Sequence, residues 1–241
     1  MILIVSRNNL HLTKKAVASA LAQTEHTPVL VIDNDSQDGT VNWLNTKSEL
    51  HTILLPGQIS LAAAWNMGIR KSWSVKAEEI LIINNDVEIR PDTYQMLQES
   101  TWLDQGSHPF ISCVSVDTKE RMGHPGDRQI TNIFLDRRPH PDFSCFMMNR
   151  QVTDKVGFFD ETYFPAYCED CDYHVRMHRA GIEAVCIDLP FLHHGASTLK
   201  YADHSEGVRI QRGADINRRY FKNKYGCLPG TPEYSKLFEE V

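Results

Sequence analysis

Short apolar runs alternate with segments of helical spacing through the first half of the chain. Ile2 to Val5, Val29 to Ile32, Ile53 to Leu55 and Ile80 to Ile83 are apolar throughout, the pattern of strands buried on both faces. Between them, Leu12 to Leu21 and Thr40 to Leu44 carry helical spacing. A further helix starts at Ser60, a good N-cap residue, and runs through Trp73. Pro91 stands where another could begin. Strand and helix alternating at this pitch predict an α/β fold with a Rossmann-type, mostly parallel sheet and helices on both faces. Such sheets bind ligands beyond the carboxyl ends of their strands.

The second half is less regular. A strand is expected over Phe143 to Met148 and a short helix over Val152 to Val156. A helix over Asp170 to Ala180 is closed by Gly181. A strand over Glu183 to Ile187 and a charged helix over 204–224 follow. Residues 117–142, rich in Asp, Arg, His and Pro, read as a loop or ribbon excursion. Its cations, Arg121, His124, Arg128, Arg137, Arg138 and His140, make a solvated loop or a lid over an anionic ligand.

Composition narrows the classes. The 241 residues are 41% hydrophobic, enough to bury one large core. A net charge of −6 weighs against avid nonspecific nucleic-acid binding. No run of 18 apolar residues predicts a membrane span, and the six cysteines fit reduced thiols in the cytoplasm.

Polar chemistry gathers at the strand ends. Asp33 to Asp38 and Asn84-Asn85-Asp86 each follow an apolar strand, and Glu169-Asp170-Cys171-Asp172 opens a helix. Any one of these could be turn or cap residues. Together on one sheet edge, they suit a nucleotide diphosphate. Mg²⁺ or Mn²⁺ takes one or two carboxylates plus phosphate oxygens, and a further carboxylate can accept a proton from a hydroxyl. Cys168, Cys171, His174 and His178 have metal-ligand residue types. From Cys171 onward they lie along one helix, and a row of that kind cannot surround a tetrahedral zinc.

These motifs resemble family 2 glycosyltransferases of the GT-A fold over nearly the whole chain. Val31 to Thr40 is similar to the family's nucleotide-recognition strand and turn, and Val5-Ser6-Arg7-Asn8-Asn9 to its nucleoside loop. Leu61 to Ile69 resembles an Asn-x-Gly helix, with Trp65 where many relatives carry Arg. Ile82 to Asp86 resembles the Asp-x-Asp metal motif with Asn84 at its first position. Ser144 to Met148, Val156 to Glu161, the Glu169-Asp170-x-Asp172 segment and His193-His194-Gly195-Ala196-Ser197 match the acceptor and metal sides in the family's order.

The resemblance implies transfer of a sugar, with inversion, from a nucleotide-diphosphate donor to an acceptor hydroxyl. UDP-sugar is the default donor, with dTDP and GDP open. It implies donor contacts from Ser6, Arg7, Asn8, Asp33, Asp38, Asn66, Asn84 and Asn85. It also implies a divalent ion on Asp86 and His193, and catalysis by Asp170 with Glu169 beside it. His194 competes with His193 for the metal-side role. Residues 1–116 would bind the donor and 117–241 would shape the acceptor site, within one domain. Acceptors open to it are a glycan, a protein, a lipid-linked glycan or a nucleic-acid base. Two other functions compete. A sugar-phosphate nucleotidyltransferase needs a glycine-rich loop after the first strand, and Ser6 to Asn9 has no glycine. A non-catalytic binding module would explain Asn84 but not the retained Asp86, Glu169 and Asp170.

Overall fold

A computed structural model describes residues 1–100, 108–124, 141–195 and 204–239, and the backbone of 133–134. In chain order the elements are β1 (Ile2–Ser6), α1 (Leu10–Leu21), β2 (Val29–Asp33), α2 (Thr40–Leu44), β3 (His51–Leu54), α3 (Leu61–Ser74), β4 (Glu79–Asn84) and β5 (Val87–Glu88). There follow α4 (Thr93–Ser100), β6 (Phe110–Val116), α5 (Lys119–Met122), β7 (Ile133–Phe134), β8 (Cys145–Asn149) and α6 (Arg150–Val156). The chain ends with α7 (Glu169–Arg179), β9 (Val185–His193), α8 (His204–Tyr225) and α9 (Pro232–Lys236).

One sheet runs β3-β2-β1-β4-β8-β6-β9-β5, with β7 paired to β9. The strands from β3 to β4 are parallel, and β8 runs antiparallel to both β4 and β6. Alternate residues divide the core between the two faces. Ile2, Ile4, Val29, Val31, Leu81 and Ile83 face one cluster with α1, while Leu3, Val5, Leu30, Ile32, Ile80 and Ile82 face another with α3. Gly68 lets α3 lie close on β1, because a Cβ there would collide with the Leu3 side chain.

Ser60 caps α3 as expected, its hydroxyl accepting the Ala63 N–H at 3.1 Å. Elsewhere the bounds moved. The helix expected from Asp170 begins at Glu169, and the strand expected over 183–187 runs from Val185 to His193. Pro190 lies within the longer strand. It sits where the β6–β9 register shifts, a place where the ladder tolerates a missing N–H. Strand β6 was not anticipated: Ser112, Cys113 and Ser115 dilute its apolar signal, yet it lies between β8 and β9. The segment expected to be a loop or ribbon over 117–142 contains α5, with Arg121 bonded to Asp117 at 2.9 Å, and β7, which pairs antiparallel with β9. Arg128, Arg137, Arg138 and His140, named for a lid, lie outside the described residues, as do Ala196 and Ser197.

Candidate active site

Parallel pairing brings three strand ends into step. Ser6 is opposite Asp33, and Val5 is opposite Asn84, so the carboxyl ends of β1, β2 and β4 form one edge. The loop after β1 turns through Asn8 and Asn9, both left-handed at φ 56° and 57°, a conformation asparagine tolerates. Asn8 N–H donates to Ser36 Oγ at 2.7 Å, and its side-chain oxygen accepts the Gln37 N–H at 2.7 Å. The two loops are thereby tied together.

Several residues expected to contact the donor hydrogen-bond within the protein. The Ser6 hydroxyl, fully buried, pairs with Thr13 Oγ1 at 3.0 Å. Asn85 Nδ2 donates to the same Thr13 oxygen at 3.0 Å and to Asn8 O at 3.2 Å. Asp38 accepts the Leu10 N–H at 2.8 Å and the Thr40 hydroxyl at 2.6 Å. These bonds outweigh the upward effect of burial and hold its carboxyl below the usual range. Asn66 is fully buried and bonds both backbone groups of Phe159 at 2.9 Å, and Glu161 at 2.8 Å. It holds that loop to α3. Trp65 packs on Phe146 and Phe159 as a core residue.

Three residues on the edge keep unpartnered polar atoms among the described residues. Asp33 is fully buried; its Oδ1 accepts the Ser36 N–H at 2.9 Å, and its Oδ2 has no partner. Burial first, and the charges of Asp38 and Asp35 after it, push its carboxyl up despite the Ser36 bonds. Arg7 reaches Glu206 on α8 at 3.1 Å while its Nε and Nη1 are buried without partners. The half-buried Asn84 side chain has no hydrogen bond.

Beside this edge stands Asp86. Pairing of β5 with β9 sets Val87 opposite His193, and His194 N–H donates to Asp86 O at 3.0 Å. His193 Nε2 then lies 3.4 Å from Asp86 Oδ1. Burial lowers the His193 pKa, but its bond to Asp86 and that carboxylate's charge raise it more. His194 turns to Glu88 instead, at 2.8 Å, where Lys119 also binds at 3.1 Å. Glu88 and Asp142, whose charge acts on His193, drew no attention in the sequence because neither sits in a recognisable motif.

No group of three or more His, Cys, Asp or Glu close enough to hold an ion occurs among the described residues. Asp86 and His193 still fit a magnesium or manganese site completed by phosphate oxygens and water, since such ions need only one or two protein carboxylates.

The acidic pair stands at the start of α7, where the helix dipole favours negative charge. Glu169 and Asp170 differ sharply in setting. Glu169 is 4% exposed, and its Oε2 has no partner. Burial, then the charge of Asp170, pushes its carboxyl well above the usual range. Asp170 is half-buried, with Oδ1 on the Cys171 N–H at 2.7 Å. Tyr167 precedes this pair; burial, then the charge of Glu169, raises its phenol. Along α7, His174 and His178 lie against Phe238, at 4.4 and 5.2 Å between ring centroids.

A family model described as Glycosyl transferase family 2 matches residues 1–157. A galactofuranosyl glycosyltransferase of Leishmania donovani is 28% identical over 220 residues, covering 73% of this chain and 50% of its own. The chain spans about half the length of the first curated relatives it matches. The mannosyltransferase PcManGT from Pyrobaculum calidifontis, solved with GDP-Man and Mn²⁺, superposes with a TM-score of 0.58 at 15% identity, covering 99% of this chain and 67% of its own. GalNAc-T7, solved with UDP, GalNAc and Mn²⁺, gives 0.64 at 13% identity, over 99% and 53%. At these identities the structural likeness speaks for the fold, that of GT-A glycosyltransferases.

Proposed function

The chain belongs to glycosyl transferase family 2, and from that premise we propose that it moves a sugar, with inversion, from a nucleoside-diphosphate donor to an acceptor hydroxyl. The observation carrying this reading is the edge where β1, β2 and β4 end in step, with buried unpartnered atoms on Asp33 and Arg7 and with His193 3.4 Å from Asp86. In this reading Asp86 serves a diphosphate's cation and the acidic pair of α7 serves the acceptor.

In this reading residues 1–116 hold the donor and 117–241 shape the acceptor side. Asp33 Oδ2 accepts from a base N–H, and Arg7 donates to a base or ribose oxygen. The donor–acceptor pattern suits uracil, so a UDP-sugar is favoured. The structural neighbours carry both UDP and GDP-Man, so guanosine donors belong in the test. Asn84 hydrogen-bonds the ribose. Asp86 and His193 would hold Mg²⁺ or Mn²⁺, which neutralises charge on the leaving diphosphate when bound.

Asp170 takes the proton from the acceptor hydroxyl as that oxygen bonds to the anomeric carbon. The bond from that carbon to the phosphate oxygen breaks, and the nucleoside diphosphate leaves with the electron pair. Glu169 is a poor base here, because burial keeps its proton on. It orients acceptor groups or loop amides instead. No helix among the described residues is long and apolar enough to cross a membrane.

A thermal-shift screen of UDP-, GDP- and dTDP-sugars with Mn²⁺ or Mg²⁺ tests the proposal. A ligand at 100 times its Kd stabilises by about 2.7 kcal/mol, a rise of roughly 5–10 °C for a chain of this size. Uridine donors with the metal should give the largest rise. No rise with any nucleotide and either ion would refute the reading.

A further inference from the structure

We propose that Asn217 on α8 is a positioning residue for the acidic pair at the start of α7, acting through the turn that precedes it. The proposal rests on the reading of Asp170 as the general base. It concerns a part of the chain beyond the residues 1–157 that the family model matches.

The turn has no local reason for its shape. Tyr167 and Cys168 are both left-handed, at φ 83° and 74°, and neither is glycine or asparagine. Cys168 is the N-cap of α7, yet its side chain makes no cap bond. A strained conformation of this kind persists only where its surroundings impose it. Here the surroundings come from a helix some fifty residues later, since Asn217 lies 51 positions from Ala166. Asn217 is 2% exposed, and its Nδ2 donates to Ala166 O at 2.8 Å and Tyr167 O at 3.2 Å. One amide nitrogen carries two hydrogens, so a single side chain can fix two successive carbonyls.

Gly213, one turn earlier, allows the approach. A Cβ there would overlap Pro165 Cδ and lie 2.9 Å from Phe164 O. From the other side, Leu61 N–H donates to Pro165 O at 2.9 Å. The first turn of α7 is clamped to the same helix, for the fully buried Asp172 accepts from Tyr225 Oη at 2.8 Å and pairs with Lys224 Nζ. Together these contacts set the direction in which Asp170 leaves the turn.

The test compares Asn217→Ala with Phe221→Leu. Phe221 is fully buried on the same helix, in one apolar cluster with Cys168 and Cys171, and makes none of the hydrogen bonds to the turn, so its variant controls for lost packing and stability. Three readouts are taken: UDP affinity with Mn²⁺ by calorimetry, hydrogen exchange of peptides covering 164–172, and UDP release from UDP-sugars with water as acceptor. Asp170→Asn is run beside them. Asn217→Ala should keep UDP affinity, exchange faster over 164–172 only, and lose roughly 10²-fold in kcat with little change in KM, the loss expected from a misplaced group. Phe221→Leu should keep kcat.

Normal kcat in Asn217→Ala, with Asp170→Asn impaired, would overturn the proposal and leave the base assignment standing. Normal kcat in Asp170→Asn would overturn the base assignment instead. If no wild-type release is seen, the exchange data decide, and unchanged exchange over 164–172 overturns the proposal.

Discussion

At the donor edge three parallel strands end in step, and apart from the Arg7–Glu206 pair the loop bonds named there join residues close to one another in the fold. Asn8 binds Ser36 and Gln37, Asp38 binds Leu10 and Thr40, and Ser6 binds Thr13. At the acidic pair, the left-handed turn of Tyr167 and Cys168 leads into a buried, partly unpartnered Glu169, and its supports come from α8 and the start of α3. The first edge is made by regular secondary structure and local capping. The second is made by long-range packing against the grain of local preference. Binding can therefore rest on a frame that meets α8 through the Arg7–Glu206 pair, whereas the placement of the acidic pair depends on several contacts with that helix.

The largest effect should come from the second edge. Asp170→Asn keeps shape and removes basicity, and should cut transfer by about 10²–10⁴-fold with donor affinity unchanged by calorimetry. Near-normal transfer by Asp170→Asn, with Glu169→Gln inactive, would move the base to Glu169 and reverse the contrast drawn from their burial.

A smaller effect belongs to the donor edge. Asp33→Asn keeps the acceptor toward Ser36 and turns the unpartnered oxygen into a donor. It should weaken UDP binding by about 1–3 kcal/mol while kcat at saturation holds. Equal affinity of wild type and variant for every nucleoside diphosphate would remove Asp33 from the base site.

The smallest effect is on the support of α8. Asp160 accepts from Tyr220 Oη at 3.0 Å and Lys224 Nζ at 2.8 Å, joining the loop after α6 to that helix. Burial raises its carboxyl pKa, but Lys224 and Thr162 outweigh this and bring it down to about 2. The folded value lies below the unfolded one, so this stability is present above about pH 4 and is lost as pH falls through about 2. After solvent screening it is worth about 1 kcal/mol. Urea melts of wild type and Asp160→Asn should differ by that much at pH 7 and converge between pH 4 and pH 2. A gap that stays constant over that range would show that the ion pair does not support the helix.

The same contrast explains what could be read from the chain. The donor edge was legible because continuous apolar runs mark β1, β2 and β4, and polar residues follow each at once. The α/β class and the strand ends at Asp33 and Asp86 follow from that alone. Which side chain at an edge points outward was not legible. Ser6, Asp38, Asn66 and Asn85 have the right chemistry, but their hydrogen bonds lie with Thr13, Leu10, Phe159 and Asn8, and sequence position does not show that. Which of His193 and His194 faces Asp86 depended on pairing of β5 with β9, where Val87 and His193 are partners although 106 positions apart. The hold of Asn217 on Tyr167 was invisible for the same reason, since it links elements 50 positions apart.

Calorimetry of UDP with Mn²⁺ on wild type and Asp86→Ala addresses the donor site most directly. The wild type should bind UDP with the ion and lose most of that affinity when the ion is chelated. Asp86→Ala should bind at least about 10-fold more weakly, or about 1.4 kcal/mol, and show little response to Mn²⁺. Equally tight, metal-dependent binding in Asp86→Ala would contradict the placement of the diphosphate and its ion beside β4.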